Sequence, residues 1–440
     1  MIFPRSGLSL RWGALLLGAL GVSWFSVAAS AAEKSEWRFD FGTGEAPAGF
    51  TRVAREAAYE AERGYGFLPQ GNAAAPSAVA MFGAAVLEGN YTVTARFGSA
   101  KEATATTIKA ESRRLMIEKV ETAAGKFETR TFTVNVRQPA ISGGGMTLLN
   151  SREQGPPVKA DWDTMLTLEI SGAHPGVASL EIRPASEAVT VFIAGDSTVT
   201  NQAKEPYAGW GQMLPRFFGP GVAVSNQAES GLALSSFEGQ KRLEKVLSMM
   251  KAGDYFFIQF GHNDQKDKRE GAGPFTTYKA RLKKFVAAAR AKGGNVVLVT
   301  PMERRRWDGD KIGATLADYA EAVRQVGAEE KVPVIDLNAM SLKFYGALGA
   351  EKSMKAFVFY PAHTFPGQEK ALQDNTHHNA YGAYELARCM VEGIKAQVPE
   401  LAKKLAPDAG TFDPSKPDAP EQVAIPASPL TGPTEKPAGS

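Results

Sequence analysis

Cysteine is almost absent from this chain, which has a single one, Cys389, in 440 residues. One thiol cannot form an intramolecular disulfide, so the fold must be stabilised by apolar cores rather than by covalent links. Cys389 lies within an apolar stretch, where a thiol behaves as a small hydrophobic group. We therefore expect Cys389 to be a buried structural residue.

The chain also lacks a large excess of charge of either sign. It has 50 Lys and Arg residues and 47 Asp and Glu residues, which gives a net charge of +3. Proteins that bind nucleic acids usually present a clustered basic surface, and no basic stripe or aromatic-interleaved patch stands out here. The sequence therefore predicts no nucleic-acid partner. Cys, His, Asp and Glu residues also form no cluster with metal-ligand spacing, so no metal site is predicted.

The first 31 residues have the composition of a secretory signal peptide. Arg5 and Arg11 supply a positive region, an apolar stretch begins at residues 14–20, and small residues at 29–31 fit a cleavage site. The alternative is an uncleaved membrane anchor, but the apolar stretch is short and is interrupted by serines. We predict export to the periplasm or the medium, with no stable membrane insertion after cleavage.

The length predicts more than one domain, and residues 35–186 have an all-β pattern. Runs of alternating polar and apolar residues are separated by turns rich in Gly, Pro and Asn, which is typical of a β-sandwich. The clearest runs are residues 90–97, 115–120, 131–136, 165–170 and 178–182. The role of this domain stays open between packing and carbohydrate binding.

From residue 188 to about residue 405 strands and helices alternate, which is typical of an α/β fold with a parallel sheet covered on both faces. Apolar runs predict strands at residues 189–193, 222–226, 254–260, 295–300 and 332–337. Helical periodicity predicts helices at residues 209–218, 238–250, 278–292, 316–330 and 381–398. Residues 406–440 are rich in proline without apolar periodicity and are predicted to form a disordered tail.

A serine at the end of the first of these strands is the candidate nucleophile. Ser197 follows the strand predicted at residues 189–193, and open α/β sheets bind ligands at the carboxyl ends of their strands. A catalytic serine needs a base that takes its proton and a group that orients the base. Asp374 and His377 are of these types and lie three positions apart. His378 adjoins His377, and only one of the two can point inward.

Acyl transfer also needs hydrogen-bond donors for the oxyanion that develops on the attacked carbonyl. Gly231 is a candidate because a residue without a Cβ lets its backbone N–H approach a substrate closely. Asn263 is the second candidate, since it follows the strand predicted at residues 254–260 and offers an uncharged NH₂ group. Gly231 and Asn263 are each common turn residues when taken alone. The four segments that contain Ser197, Gly231, Asn263 and the Asp374–His377 pair occur in this order along the chain, after successive strands, and together they favour an acyl-transfer site.

Gly195-Asp196-Ser197, Gly231, Gly261-His262-Asn263-Asp264 and Asp374-x-x-His377 resemble the four blocks of SGNH (GDSL-type) hydrolases. The finer motifs are Gly195-Asp196-Ser197-Thr198-Val199, Gly209-Trp210-Gly211-Gln212, Asn226-x-Ala228-x-x-Gly231 and Asp374-Asn375-Thr376-His377, and they are similar to those of the rhamnogalacturonan acetylesterases of carbohydrate esterase family twelve. In the N-terminal domain, Phe39-Asp40-Phe41-Gly42-Thr43-Gly44 and Gly64-Tyr65-Gly66-Phe67 resemble the galactose-binding-like domain of some bacterial members.

The resemblance implies a flavodoxin-like α/β/α sandwich that needs no metal or cofactor. It implies Ser197 as nucleophile with Asp374 and His377 as its partners, and it selects His377 over His378. The backbone N–H groups of Ser197 and Gly231 and the Asn263 side chain are the implied oxyanion donors. In many members Arg-Ser follow the glycine that corresponds to Gly231. Here Leu232-Ala233 follow it, so the sugar contacts near this position are in doubt.

A basic segment follows the strand predicted at residues 295–300. Arg304, Arg305 and Arg306 are followed by Trp307, on the same sheet edge as the candidate site. One interpretation is a solvated charged loop. The other is a substrate-binding loop, in which arginines pair with the carboxylate of a galacturonate residue and the indole stacks on a sugar.

The leading hypothesis is thus an exported serine esterase that removes O-acetyl groups from pectic rhamnogalacturonan. The near alternative is a deacetylase of xylan or of small acetylated sugars. A non-catalytic carbohydrate-binding protein is the alternative of another class, and the complete set of Ser197, Asn263, Asp374 and His377 argues against it. The expected partner is an acetylated polysaccharide or oligosaccharide.

Overall fold

The computed structural model describes residues 36–69, 79–155, 158–429, 434 and 436–438. The predicted signal peptide at residues 1–31 lies outside the described residues. Within them, no helix has both the length and the apolar character needed to span a lipid bilayer.

The described residues before position 186 fold into strands that belong to two antiparallel five-stranded sheets, apart from the parallel contact of β1 with β2. One sheet has the order β2-β1-β10-β5-β8 and the other the order β3-β4-β9-β6-β7. The strands are β1 (Trp37–Asp40), β2 (Thr51–Arg52), β3 (Tyr65–Phe67), β4 (Ala80–Ala85), β5 (Gly89–Phe97), β6 (Thr104–Ala110), β7 (Arg114–Thr122), β8 (Glu128–Val136), β9 (Met165–His174) and β10 (Val177–Pro184).

Alternation along these strands explains how they pack. In β5 the apolar residues Tyr91, Val93, Ala95 and Phe97 are buried while the intervening residues are more exposed, as a two-residue period requires. Apolar side chains from both sheets form one core cluster. The galactose-binding-like identity of this domain stays a prediction.

The second part of the chain is built on a five-stranded parallel sheet with the order β12-β11-β13-β14-β17, the order of flavodoxin-like folds. Its strands are β11 (Val189–Gly195), β12 (Val222–Asn226), β13 (Tyr255–Gln259), β14 (Asn295–Val299) and β17 (Val334–Ile335). Four further strands form two antiparallel pairs outside it, namely β15 (Trp307–Asp308) with β16 (Lys311–Ile312) and β18 (Phe357–Tyr360) with β19 (Leu372–His378).

Helices cover both faces of the parallel sheet, which confirms the predicted α/β class. The helices are α1 (Trp210–Met213), α2 (Leu234–Gly239), α3 (Arg242–Met249), α4 (Lys279–Arg290), α5 (Ala317–Glu330), α6 (Leu337–Lys352), α7 (Ala380–Gln397) and α8 (Pro399–Ala402). In β11, Val191 and Ile193 belong to the core cluster on one face, and Phe192 and Ala194 belong to the cluster on the other. A strand buried on both faces reads as a continuous apolar run, which is how this one was predictable.

Several elements differ from the predictions, and the helix expected at residues 209–218 is α-helical only at Trp210–Met213 and continues as a 3₁₀-helix at Leu214–Phe217. The helix expected at residues 238–250 is two helices, α2 and α3, separated at Lys241, whose φ of +60° is incompatible with a continuing helix. The strand expected at residues 332–337 is shortened to β17. Asp336 ends it, because its side chain accepts a hydrogen bond from Ala339 N and caps helix α6, which the sequence analysis missed.

The two parts of the chain share a buried contact. Leu115 of β7 belongs to the apolar cluster of the α/β part. The neighbouring Arg114 is fully buried and donates hydrogen bonds to the carbonyl oxygens of Asn135, at 2.9 Å, and Val224, at 3.0 Å. The guanidinium therefore links a strand of the N-terminal part to β12 of the parallel sheet.

The prediction of a disordered tail at residues 406–440 is wrong for residues 406–429. Phe412, Val423 and Ile425 pack against the apolar cluster that contains α7. Further along, Ser428 is buried and accepts a hydrogen bond from Lys109 Nζ at 2.7 Å. Isolated apolar residues at irregular spacing anchor this segment, so a search for periodicity could not find it.

Phe412 offers a direct check of this correction. The Arg388 guanidinium lies 4.3 Å from its ring centroid, and Phe412 N donates to Glu392 at 3.0 Å. We expect Phe412→Ala to lower the free energy of unfolding by about 1–2 kcal/mol, since a half-buried ring loses part of its apolar contact. Chemical denaturation would measure this. Lys416→Ala, an exposed neighbour, should leave stability unchanged; equal values for both variants would contradict the packing.

Candidate active site

The candidate active-site residues meet at the carboxyl edge of the parallel sheet. Ser197 follows β11, Gly231 follows β12 and Asn263 follows β13. Asp374 and His377 arrive on β19, which lies outside the parallel sheet. Because parallel strands end at the same edge, the first three segments are adjacent by construction. The pair on β19 is brought to them by a separate antiparallel hairpin.

Ser197, His377 and Asp374 form a continuous chain of hydrogen bonds. The distance from His377 Nε2 to Ser197 Oγ is 2.7 Å, and the distance from His377 Nδ1 to Asp374 Oδ2 is 2.8 Å. All three side chains are buried. This is the arrangement of a nucleophile, its base and the group that orients the base.

The Asp374 carboxylate is held in its ionised form. Its Oδ1 accepts hydrogen bonds from the backbone N–H groups of Thr376, at 2.8 Å, and His377, at 3.1 Å. Burial by itself would raise the pKa of Asp374, but the hydrogen bond and charge of His377 together with these two N–H groups lower it to about 2. A carboxylate that stays charged fixes the imidazole with Nδ1 as the donor and leaves Nε2 free to accept a proton.

His378 points away from the serine and belongs to the core. Its Nε2 lies 2.9 Å from the Tyr345 hydroxyl, and its ring packs on Phe357. Burial, reinforced by the charges of His377 and His262, lowers the pKa of His378 to about 3, so this imidazole is neutral. The structure therefore brings His377, and not His378, to Ser197.

The two predicted oxyanion residues lie beside the serine turn. Gly231 has a φ of +84°, a conformation that favours glycine over residues with a Cβ. Asn263 Nδ2 donates one hydrogen bond to Leu232 O at 3.0 Å, which fixes the amide and leaves its second N–H for a ligand. Among the described residues, no acceptor is bonded to the backbone N–H of Ser197 or Gly231.

Several buried polar residues that the sequence analysis gave no role hold the serine turn. Asp196 Oδ1 accepts hydrogen bonds from Thr198 N, at 3.0 Å, and Thr198 Oγ1, at 2.7 Å. Its other oxygen lies 3.3 Å from His262 Nδ1. Gln202 Nε2 donates to Ser197 O at 2.6 Å. Asp196 and His262 belong to the motifs at residues 195–199 and 261–264. The sequence therefore placed each of them near the site, but it did not show that they contact each other.

Within residues 36–69, 79–155 and 158–429 and the few described positions beyond them, no group of three His, Cys, Asp or Glu side chains is placed to hold a metal ion. Cys389 is buried in helix α7.

Comparison with known proteins agrees with this geometry. Residues 193–382 match the sequence model of the GDSL-like lipase/acylhydrolase family. The chain is 40% identical over 210 residues to rhamnogalacturonan acetylesterase RhgT of Bacillus subtilis (strain 168), in an alignment that covers 47% of this chain and 90% of the relative. The chain belongs to the SGNH rhamnogalacturonan acetylesterase family. It is therefore a carboxylic ester hydrolase.

Two further relatives come from the same Bacillus subtilis strain. The probable rhamnogalacturonan acetylesterase YesY is 36% identical over 213 residues, covering 47% of this chain and 92% of the relative. The uncharacterized esterase YxiM is 26% identical over 385 residues, covering 83% of this chain and 92% of the relative. The YxiM alignment is too long to fit within the α/β part, so this SGNH family member shares similarity with YxiM in its N-terminal part as well.

A cavity of about 530 Å³ is lined by Arg304, Arg305 and Arg306 together with Gln265, Thr315 and Asn375. Asn375 directly follows Asp374 in the chain, whereas Ser197, Asp374 and His377 are not among the residues that line the cavity. The three arginines of the predicted substrate-binding loop therefore share one cavity, and their role in binding stays a prediction.

The members of this loop are not equivalent. Arg304 donates to Gln265 Oε1 at 3.0 Å and His262 O at 3.2 Å, and Arg305 donates to Asn375 Oδ1 at 2.9 Å. Trp307 packs against the core and donates to Ser353 Oγ at 3.2 Å, and it does not line the cavity. Arg306 is exposed, and none of the described residues accepts a hydrogen bond from its side chain.

The C-terminal segment of this esterase reaches the triad. Thr434 Oγ1 donates to Glu205 O at 3.2 Å, and Lys436 Nζ lies 3.8 Å from Asp374 Oδ2. A Cβ at Gly231 would lie 3.3 Å from the Cβ of Ala438. The Ser197 residue is itself only 2% exposed. We therefore predict that the described residues of this segment compete with a substrate acetyl group for the space beside Gly231.

Removing residues 430–440 tests that competition. We expect the truncated enzyme to hydrolyse p-nitrophenyl acetate with a several-fold higher kcat/KM, because a site that is covered part of the time has a reduced apparent affinity. Steady-state kinetics on purified full-length and truncated protein would measure the effect. Thermal unfolding checks that both are folded. An unchanged kcat/KM would mean that the segment leaves the serine accessible in solution.

Proposed function

We propose that this protein is an exported serine esterase that removes O-acetyl groups from pectic rhamnogalacturonan. The observation that carries the mechanism is the hydrogen-bonded chain from Ser197 through His377 to Asp374, with distances of 2.7 and 2.8 Å. The substrate is suggested by the names of the RhgT and YesY relatives. The signal-like composition of residues 1–31 supports export.

In the acylation step, Ser197 Oγ attacks the acetyl carbonyl while its proton passes to His377 Nε2. Asp374 stabilises the resulting imidazolium by accepting the Nδ1 hydrogen bond. The negative charge that develops on the carbonyl oxygen is bound by Ser197 N, Gly231 N and Asn263 Nδ2. The tetrahedral intermediate collapses when His377 donates the proton to the sugar oxygen, which leaves as a free hydroxyl.

In the deacylation step, water takes the place of the sugar. His377 Nε2 accepts a proton from the water as its oxygen attacks the acetyl-Ser197 carbonyl, and the same three donors bind the oxyanion. Collapse of this second intermediate returns the proton to Ser197 Oγ and releases acetate. The protons balance, because the proton of Ser197 leaves on the sugar hydroxyl, a proton from the water replaces it on Ser197 Oγ, and His377 Nε2 carries both transfers.

The adjacent histidines provide the sharpest test of this mechanism. Ser197→Ala and His377→Ala should each lower kcat by several orders of magnitude, because each removes a member of a unit that acts together. His378→Phe should keep most activity, since its ring contacts Tyr345 and Phe357 and not the serine. Steady-state hydrolysis of p-nitrophenyl acetate by the three variants would measure this. A His378 variant as inactive as the His377 variant, with both folded, would refute the assignment.

The charge of the substrate gives a second test. If Arg306 pairs with a galacturonate carboxylate, Arg306→Gln should lower kcat/KM on acetylated rhamnogalacturonan but not on p-nitrophenyl acetate, which has no carboxylate. Added salt should reduce the wild-type advantage, because exposed ion pairs are screened over about 10 Å at 0.1 M.

Lys403→Gln removes an exposed charge at the C-terminal end of helix α8, outside the arginine loop, and is the matched control. Equal losses on both substrates would assign Arg306 a role in stability. Faster turnover of acetylated xylan than of acetylated rhamnogalacturonan would favour the alternative deacetylase activity, while leaving the serine mechanism intact.

A further inference from the structure

We propose that Arg152, from the N-terminal part of the chain, is a positioning residue that orients the Gly231 N–H of the oxyanion site. The inference rests on the proposed function, because it assigns a role within the same acyl-transfer reaction. It concerns a residue outside the matched family segment, which covers residues 193–382.

Arg152 contacts the segment that leads into Gly231. Its Nη2 donates hydrogen bonds to Glu229 Oε1 at 3.0 Å and to Ser230 O at 3.2 Å. The Glu229 side chain is 9% exposed and the Arg152 side chain 38%. The contact thus runs from the protein surface to a buried carboxylate and to the carbonyl that immediately precedes Gly231.

The carbonyl of Ser230 and the N–H of Gly231 belong to one peptide group. A trans peptide is planar, so its C=O and N–H point in opposite directions and turn together. A guanidinium bonded to the oxygen therefore fixes the direction of the N–H on the far side. The positive charge also draws electron density toward the oxygen, and the N–H becomes a stronger donor. Both effects favour an anion beside Gly231 N.

A short turn holds Arg152 in place. Asn150 Oδ1 accepts hydrogen bonds from Arg152 N at 3.0 Å and Glu153 N at 3.1 Å. Glu153 is buried, and it accepts from Trp162 Nε1 at 3.1 Å and forms an ion pair with Arg242. The turn is therefore anchored on both sides of the arginine.

Arg242 extends the same scheme to the start of the segment, because its Nη1 donates to Gln227 O at 3.1 Å. Burial and the nearby Glu153 raise the pKa of Glu229 to about 7, while Arg242 and Arg152 act in the opposite direction. Two arginines thus bind backbone carbonyls within residues 227–231. Arg242 belongs to the α/β part, and Arg152 belongs to the N-terminal part.

The test compares Arg152→Ala and Arg152→Lys with the wild type in hydrolysis of p-nitrophenyl acetate. Because Arg152 Nη2 is already bonded to Glu229 and Ser230 O, we expect a positioning role to lower kcat and to leave KM within about twofold. We expect a loss of about 10- to 100-fold in kcat for the alanine variant, below or near the effect of deleting an oxyanion donor. The lysine variant keeps a charged donor and should retain more activity.

Chemical rescue separates positioning from stability. Arg152 opens to solvent, so ethylguanidinium can enter the space left in Arg152→Ala, and it should restore part of kcat without acting on the wild type. The rate should be expressed per active site, titrated with a phosphonate that reacts with Ser197. Arg183→Ala, which removes an exposed arginine elsewhere on the N-terminal part, is the matched control and should match the wild type.

Two results would overturn the inference. One is a kcat per active site within about twofold of wild type in Arg152→Ala, and the other is an equal loss in both Arg152 variants without rescue. Either outcome leaves the proposed function standing, provided that the wild type is active and Ser197→Ala is not. An inactive wild type would instead reject the proposed function itself.

Discussion

The hydrogen bond between the Asp374 carboxylate and His377 Nδ1 is the interaction on which the rest of the site depends. It joins two buried ionisable groups at 2.8 Å, and a buried carboxylate without such partners would lose its charge. With Nδ1 committed to Asp374, Nε2 is the nitrogen that faces Ser197, which lies 180 residues earlier in the chain. The fold must therefore hold the β18–β19 hairpin against the parallel sheet to within a fraction of an ångström.

His378 helps to meet this constraint, although it takes no part in the hydrogen-bonded chain to the serine. Its ring is fixed by Tyr345 and Phe357, and its backbone carbonyl accepts a hydrogen bond from Ala208 N at 2.9 Å. Because side chains alternate along a strand, anchoring one histidine in the core turns its neighbour the other way. The sequence alone did not show which of the two adjacent histidines faces Ser197. In the structure His377 is the catalytic candidate, and His378 anchors the same strand in the core.

The parts of this structure that could be predicted from the sequence are those with a local signal. Strand β11 is a continuous apolar run, and the residues around Ser197 and His377 form short motifs. The roles of Asp196 and Arg152 depend on His262 and Ser230, partners distant in sequence that no local pattern reveals. Helix α6 was missed because its apolar residues do not lie on one face, and the segment at 406–429 was missed because its anchors are irregularly spaced.

Arginines of the N-terminal β-sheet part connect it to the α/β part that carries the candidate active site. Arg113 Nη1 donates to Gln202 O and Tyr207 O at 2.8 and 2.9 Å, Arg114 to Val224 O and Arg152 to Ser230 O. Each acceptor is a backbone carbonyl in the α/β part, so the arginines restrain chain direction. A guanidinium suits this task because its several donors lie in one rigid plane and it remains charged when buried. Of these carbonyls, that of Ser230 shares a peptide group with the Gly231 N–H, so the N-terminal part reaches the proposed oxyanion site through the backbone.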